Sequence, residues 1–216
     1  MLNSYIEDVK AHGYNLATMI TRSNSLCSLF TKTIRPALGF NNYRLCIGDL
    51  LMITQNNLIS GLMNGDMVKV TQIGNRTQQA GLTFLQIEVE ELFSGKRYSQ
   101  LLIEEIVYGQ QTNLLQNQQQ RLFMDFYYRM KDKGIKQSSS QFKDHMFTDE
   151  YLNALRAVYG YVLTCHKAQG GEWKNVYLDI PRNTAFNPDA TTYQWLYTAM
   201  TRASDTLYIT DDFFIT

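Results

Sequence analysis

Two short stretches of the C-terminal quarter hold the residues best equipped for chemistry. Residues 159–173 read YGYVLTCHKAQGGEW. Tyr161, Val162 and Leu163 form an apolar run of buried-strand type. Thr164, His166, Lys167 and Gln169 then crowd polar groups just past its carboxyl end, where open α/β sheets place their ligands. Gly170 and Gly171 lack a Cβ and let backbone approach a bound group closely, and Glu172 adds a carboxylate. Residues 197–203 read YTAMTRA. Here Arg202 carries the sharpest chemistry, because a planar, permanently charged guanidinium suits a phosphate better than an ammonium does. An arginine that reaches a transferring phosphoryl group stabilises its transition-state charge. The bland alternatives are a polar turn between two strands for the first stretch and a surface ion pair for Arg202.

The elements that must position these residues can be read outward from them. NVYLDI at 175–180 is a buried strand, 181–188 a loop, 190–203 a helix and 206–210 a last strand. Near the start, residues 2–10 pattern as a helix, and Ala17 to Thr21 as a strand followed by Arg22. Ser23 or Asn24 would cap a second helix running towards Arg35, with Pro36 and Gly39 as its stop. From residue 43 to 108 the texture turns to β: an apolar run at Leu50 to Ile53, a tight-turn signal at Asn64-Gly65-Asp66, and a β-branched run from Met67 to Ile73. Residues 74–81 read as a polar loop. The apolar parity slips between Phe84 and Leu85, which suggests a bulge in a bent strand. Five short strands in this region predict a small barrel. Residues 110–120 are glutamine-rich; Leu115, Leu122, Phe126 and Met130 then share one helical face, ended by Gly134, and KQSSSQ at 136–141 reads as a flexible loop.

Composition narrows the class. At 216 residues, 44% apolar and 19% charged, the chain can bury a core. Lys and Arg together number 20, balanced by 20 Asp and Glu, so any nucleic-acid contact rests on a few placed groups rather than a broad basic field. No apolar run is long enough to span a bilayer, and the polar start is no signal peptide. Three scattered cysteines predict neither a disulfide framework nor a metal site, and a reducing cytoplasm is the simplest compartment.

T-C-H-K-A-Q-G-G-E at 164–172 resembles motif V of superfamily 1 helicases, in the variant of UvrD/RecD-like DNA helicases and exonuclease subunits. Tyr197, Thr201 and Arg202 look like motif VI of that family, and the strand–TRSN–helix stretch around Arg22 resembles motif IV. GDLLMITQNN and LMNGDMVKV look like the SH3-like barrel inserted in the second motor domain of RecD-like enzymes. The resemblance implies an α/β fold: a RecA-like, P-loop NTPase-type parallel-sheet domain (1–42 and 151–216), interrupted by an SH3-like β-barrel (43–108) and a helical connector (109–150). Motifs V and VI are then expected at one edge of the sheet. The implied activity is ATP-driven translocation along single-stranded DNA and duplex unwinding. Arg202 takes the catalytic role of arginine finger. By the same resemblance Glu172, Gly171 and Arg22 are expected to bind ATP. Thr164, His166, Lys167 and Gln169 face the single strand. ATP and Mg2+ are the implied cofactors of the full-length enzyme. Single-stranded DNA, an N-terminal motor domain and exonuclease subunits are the implied partners.

One departure is large. No G-x-x-x-x-G-K-[ST] phosphate loop occurs in the chain, and no acidic pair in it reads as one of the Walker B kind. Both would belong to a first motor domain preceding residue 1, so the chain alone is expected not to hydrolyse ATP or hold it tightly. A cloned fragment, a truncated gene and a separate subunit all fit. The competing reading is a non-catalytic nucleic-acid- or protein-binding module with a helicase-derived fold.

Overall fold

A computed structural model describes residues 1–40, 44–109, 111–180 and 190–209. It divides into two compact units, Met1–Leu45 with Tyr159–Thr216, and Cys46–Val158. The expected boundary at 42/43 falls on residues outside those described, as does the expected loop 181–188. The second unit runs on to Val158, beyond the boundary expected at 151.

In the first unit, β1 (Ala17–Thr21) is buried along its whole length, as a strand flanked on both sides must be. Its neighbours are β7 (Val162–Thr164) and β8 (Trp173–Leu178), with β9 (Ala203–Ile209) beyond β8; every pairing is parallel. Helix α1 (Leu2–His12) buries Tyr5, Ile6 and Val9. The Tyr5 hydroxyl donates to the Tyr161 carbonyl at 2.6 Å, and its ring meets Tyr177 edge-on at 5.4 Å. Burial pushes the Tyr5 phenol far above its ordinary value. Helix α2 (Asn24–Ala37) is capped by Ser23, whose Oγ accepts from the Leu26 N–H at 3.2 Å. Pro36 lies inside its last turn rather than ending it. The stop is Gly39, whose φ of +88° sits in the left-handed region that a Cβ disfavours. Helix α6 (Ala190–Met200) completes the described part of this unit.

The second unit is a five-stranded sheet with helices. Strands β2 (Leu50–Ile53), β3 (Met67–Gln79), β4 (Leu82–Glu91) and β5 (Arg97–Ile103) pair antiparallel in sequence, and β6 (Ala157–Tyr159) adds beside β2. Just before β6, the Leu155 N–H bonds the Leu101 carbonyl at 2.7 Å and the Leu155 carbonyl accepts from Ile103 at 3.1 Å. One short segment therefore bonds β5 through Leu155 and β2 through β6, closing the sheet on itself. That is why residues 151–158 go with this unit. The expected polar loop at 74–81 is strand as far as Gln79, because its polar residues face solvent while its backbone stays in the ladder. The register shifts lie in β3, between Val70 and Gln72 and between Ile73 and Arg76, not in β4 near Phe84. The parity slip in β4 has another cause: Leu82 and Phe84 pack on a cluster with Ile106, Leu114 and Leu122, while Leu85, Ile87 and Val89 are buried on the other parity.

Three helices pack in this unit: α3 (Glu104–Tyr108), α4 (Gln116–Asp132) and α5 (Ser140–Thr148). Helix α4 buries Leu122, Phe126 and Met130 as its pattern predicts, while Leu115 stays exposed at its N-cap. Of the expected flexible loop at 136–141, residues 136–139 form a turn closed by the Ser139 N–H on the Lys136 carbonyl at 3.0 Å, and Ser140 and Gln141 already belong to α5. Ser139 caps it, accepting from Phe142 N–H at 3.1 Å, and Phe142 docks on Phe126 and Met130.

Candidate functional site

The strand registers fix where each candidate residue stands. Thr164 pairs with Thr21 at the carboxyl ends of β7 and β1, so Arg22 follows at that same end. From Thr164 the chain descends through successive tight turns: Lys167 and Ala168 N–H groups bond the Thr164 carbonyl at 2.9 and 3.0 Å, and Gly171 N–H bonds the Ala168 carbonyl at 3.1 Å. It arrives at Trp173, which opens β8 beside Ala203, the first residue of β9. Motif V thus begins at the carboxyl end of the sheet and finishes at the amino end, where it meets Arg202. Because Thr21 and Thr164 stand one residue beyond the level shared by Ile20 and Leu178, and Trp173 is level with Ala203, the two ends lie about 20 Å apart along the strands at a rise of ~3.3 Å per residue. The expectation of one shared edge holds only for the last residues of motif V.

At the amino end, Arg202 is half-buried and held by three neutral oxygens. Nε donates to the Thr198 carbonyl at 3.0 Å, Nη1 to the Gly171 carbonyl at 3.2 Å, and Nη2 to the Thr201 hydroxyl at 3.1 Å. Its own carbonyl accepts from Trp173 N–H at 2.9 Å. Among the described residues no carboxylate pairs with it. Glu172 stands exposed beside Gly171.

The two glycines have an internal reason to be there. Gly170 has φ +87°, and a Cβ on Gly171 would overlap the Trp173 indole. The space left by the missing side chain at Gly171 is filled by the protein's own tryptophan, which seats the Gly171 carbonyl against Arg202.

At the carboxyl end, Thr164 is buried. His166 and Gln169 are exposed and Lys167 half-buried. Burial holds Lys167 below the ordinary lysine range, opposed by nearby Cys27, whose thiol burial pushes up to about 11. Arg22, expected with the nucleotide group, belongs to this end, because it directly follows the residue that pairs with Thr164. Reading by motif missed Asp179 here. Its carboxylate accepts from the Thr21 hydroxyl at 3.1 Å and is raised above its usual range by burial. The available signal was a single acid directly after the apolar run of NVYLDI.

Among the described residues no three His, Cys, Asp or Glu side chains gather to hold a metal ion, and no helix is long and apolar enough to cross a membrane. The three cysteines are free thiols.

Residues 159–210 match the model of the UvrD-like helicase C-terminal domain. That segment spans both stretches singled out above. The chain is also similar to Pif1 helicase from Bacteroides in complex with ADP-AlF3 and single-stranded DNA, at 12% identity and TM-score 0.47, covering 100% of this chain and 49% of that one. Pif1 helicase from Candida albicans is similar at 11% identity and TM-score 0.41, over 96% of this chain and 49% of that one. The chain spans about half the length of these helicases. No curated protein matches it.

Proposed function

We propose that the chain is the second motor domain of a superfamily 1, RecD-like DNA helicase, and that Arg202 is its arginine finger. The observation that carries this reading is the state of Arg202: oriented by three neutral oxygens, unpaired with any carboxylate among the described residues, and joined through Gly171 to the exposed Glu172. A cation already oriented and not neutralised fits a phosphate arriving from outside. ATP supplies the phosphoryl group, and Arg202 offers charge and donors to it as negative charge develops. Glu172 is placed to touch the nucleotide and to relay its presence into the turns of motif V.

The single strand would lie at the other end of those turns, on Thr164, His166, Lys167 and Gln169. Arg22 is reassigned to this group from the nucleotide. Residues 164–172 physically join the two ends, so closure on ATP at Arg202 can shift the groups that grip DNA. The phosphate loop and the magnesium ligands would come from a partner motor domain, and exonuclease subunits are proposed further partners. In a protein joining this chain to a phosphate-loop domain, Arg202→Ala should stop DNA-stimulated ATP hydrolysis while retaining DNA binding. Lys167→Ala should weaken DNA binding first. A reversed pattern would overturn the assignment of the two ends.

A further inference from the structure

A second arginine shares the state of Arg202, and it lies in the other unit. Arg156 lines a cavity of about 50 Å³ together with Gln55, Asn56, Asn57 and Asn153. A water needs ~10–15 Å³ on this measure, so the space accommodates about three to five waters or one tetrahedral oxyanion. Arg156 Nη1 donates to Gln55 Oε1 at 2.8 Å and to Asn113 Oδ1 at 2.6 Å. Those are neutral oxygens, and Nε and Nη2 make no hydrogen bond among the described residues.

The other ion-pairing arginines of this unit set the contrast. Arg76 grips Glu104 with two bonds of 2.6 and 2.8 Å. Arg129 engages Asp125 at 2.8 Å and Asp149 at 2.6 Å. Arg97 pairs with Glu90 at 2.8 Å. Their carboxylates hold Arg76 and Arg129 above the ordinary arginine range, whereas burial alone pulls Arg156 below it. Asp149, on the segment leading to Arg156, is already taken by Arg129. Arg156 is half-buried, and holding a charge there without a counter-ion is costly, which favours an anion as its missing partner.

Hydrogen bonds hold part of the walls. The Arg156 carbonyl accepts from the Thr54 N–H and hydroxyl at 2.8 and 3.0 Å. Asn57 Nδ2 donates to the Asn153 carbonyl at 2.6 Å, and Asn57 Oδ1 accepts from the Ile59 and Ser60 N–H groups at 3.0 and 2.9 Å. Gln55 and Asn113 therefore orient the guanidinium without neutralising it, leaving two donors in the planar fork that matches a pair of phosphate oxygens.

We infer that this cavity is an oxyanion site whose ligand is a phosphate group, either free or within a nucleic-acid backbone. It stands on its own observations and does not depend on the role of Arg202. The test is NMR of the chain in phosphate-free buffer, following the Arg156 Nε–H and the Asn57 and Asn153 side-chain amides. Inorganic phosphate and a short oligothymidine are titrated separately. Millimolar phosphate should shift these resonances. Arg156→Gln should abolish the response, and Arg156→Lys, which keeps charge and fold but loses the fork, should weaken it severalfold. Oligothymidine acting at far lower concentration than phosphate assigns the phosphodiester, and oligothymidine without effect assigns the free anion. No shift with either probe, or a response unchanged in Arg156→Gln or Arg156→Lys, overturns the site.

Discussion

Five of the described arginines fall into two sorts by what holds them. Arg76, Arg97 and Arg129 are locked to carboxylates, whereas the described partners of Arg156 and Arg202 are neutral oxygens. Only the second sort keeps its charge available. The Arg202 arrangement depends on Gly171, whose carbonyl meets the guanidinium while Trp173 occupies the space a side chain would need. Gly171→Ala should therefore lower unfolding free energy by about 1–3 kcal/mol through overpacking, read by chemical denaturation. A variant as stable as the parent would mean the indole yields freely. The residue types needed for this site were legible, because Arg202, Glu172 and the glycine pair stand in motif order. Their spatial grouping was not. Which end of a strand a residue occupies depends on pairing between segments some 140 residues apart, such as β1 and β7, and that pairing leaves no local mark. Arg22 was assigned to the nucleotide group for that reason.

At the scale of elements, strands and helices with strong periodicity were legible: β1, the cap of α2, and the apolar face of α4. Segments whose order comes from backbone pairing were not. The outer half of β3 looks like a loop because both its faces are polar, yet its hydrogen bonds to β4 continue to Gln79. Helix α5 was hidden by its serine-rich start, although Ser139 is its cap. The closing segment at Leu155 falls within the 151–216 block expected in the parallel-sheet domain, since only its bonds to β5 reveal its other role. Leu155 is 1% exposed. Leu155→Ala should cost about 2–5 kcal/mol and speed amide exchange at Ile103, whose N–H bonds the Leu155 carbonyl. A cost below ~1 kcal/mol with unchanged exchange would show that the sheet closes without it.

At the scale of the whole molecule, balanced charge limits what the chain does alone. With 20 basic and 20 acidic residues, it should bind single-stranded DNA weakly. If two or three phosphates are neutralised, log affinity should fall with log salt at a slope of about −1.4 to −2.1. Tight binding with a slope of about −5 or steeper, read by oligonucleotide titration at several salt concentrations, would favour a free-standing binding module instead. The central claim is the finger role of Arg202, and the most direct measurement is steady-state ATP turnover beside ATP affinity, in a protein joining this chain to a phosphate-loop domain. Arg202→Ala should leave affinity within a few-fold of the parent and cut kcat by about 10³–10⁵, the range of supplied arginine fingers. Arg202→Lys should restore little, because a point charge does not reproduce the planar fork. Wild-type turnover by Arg202→Ala, or equal loss in affinity and turnover, would contradict a role confined to the transition state.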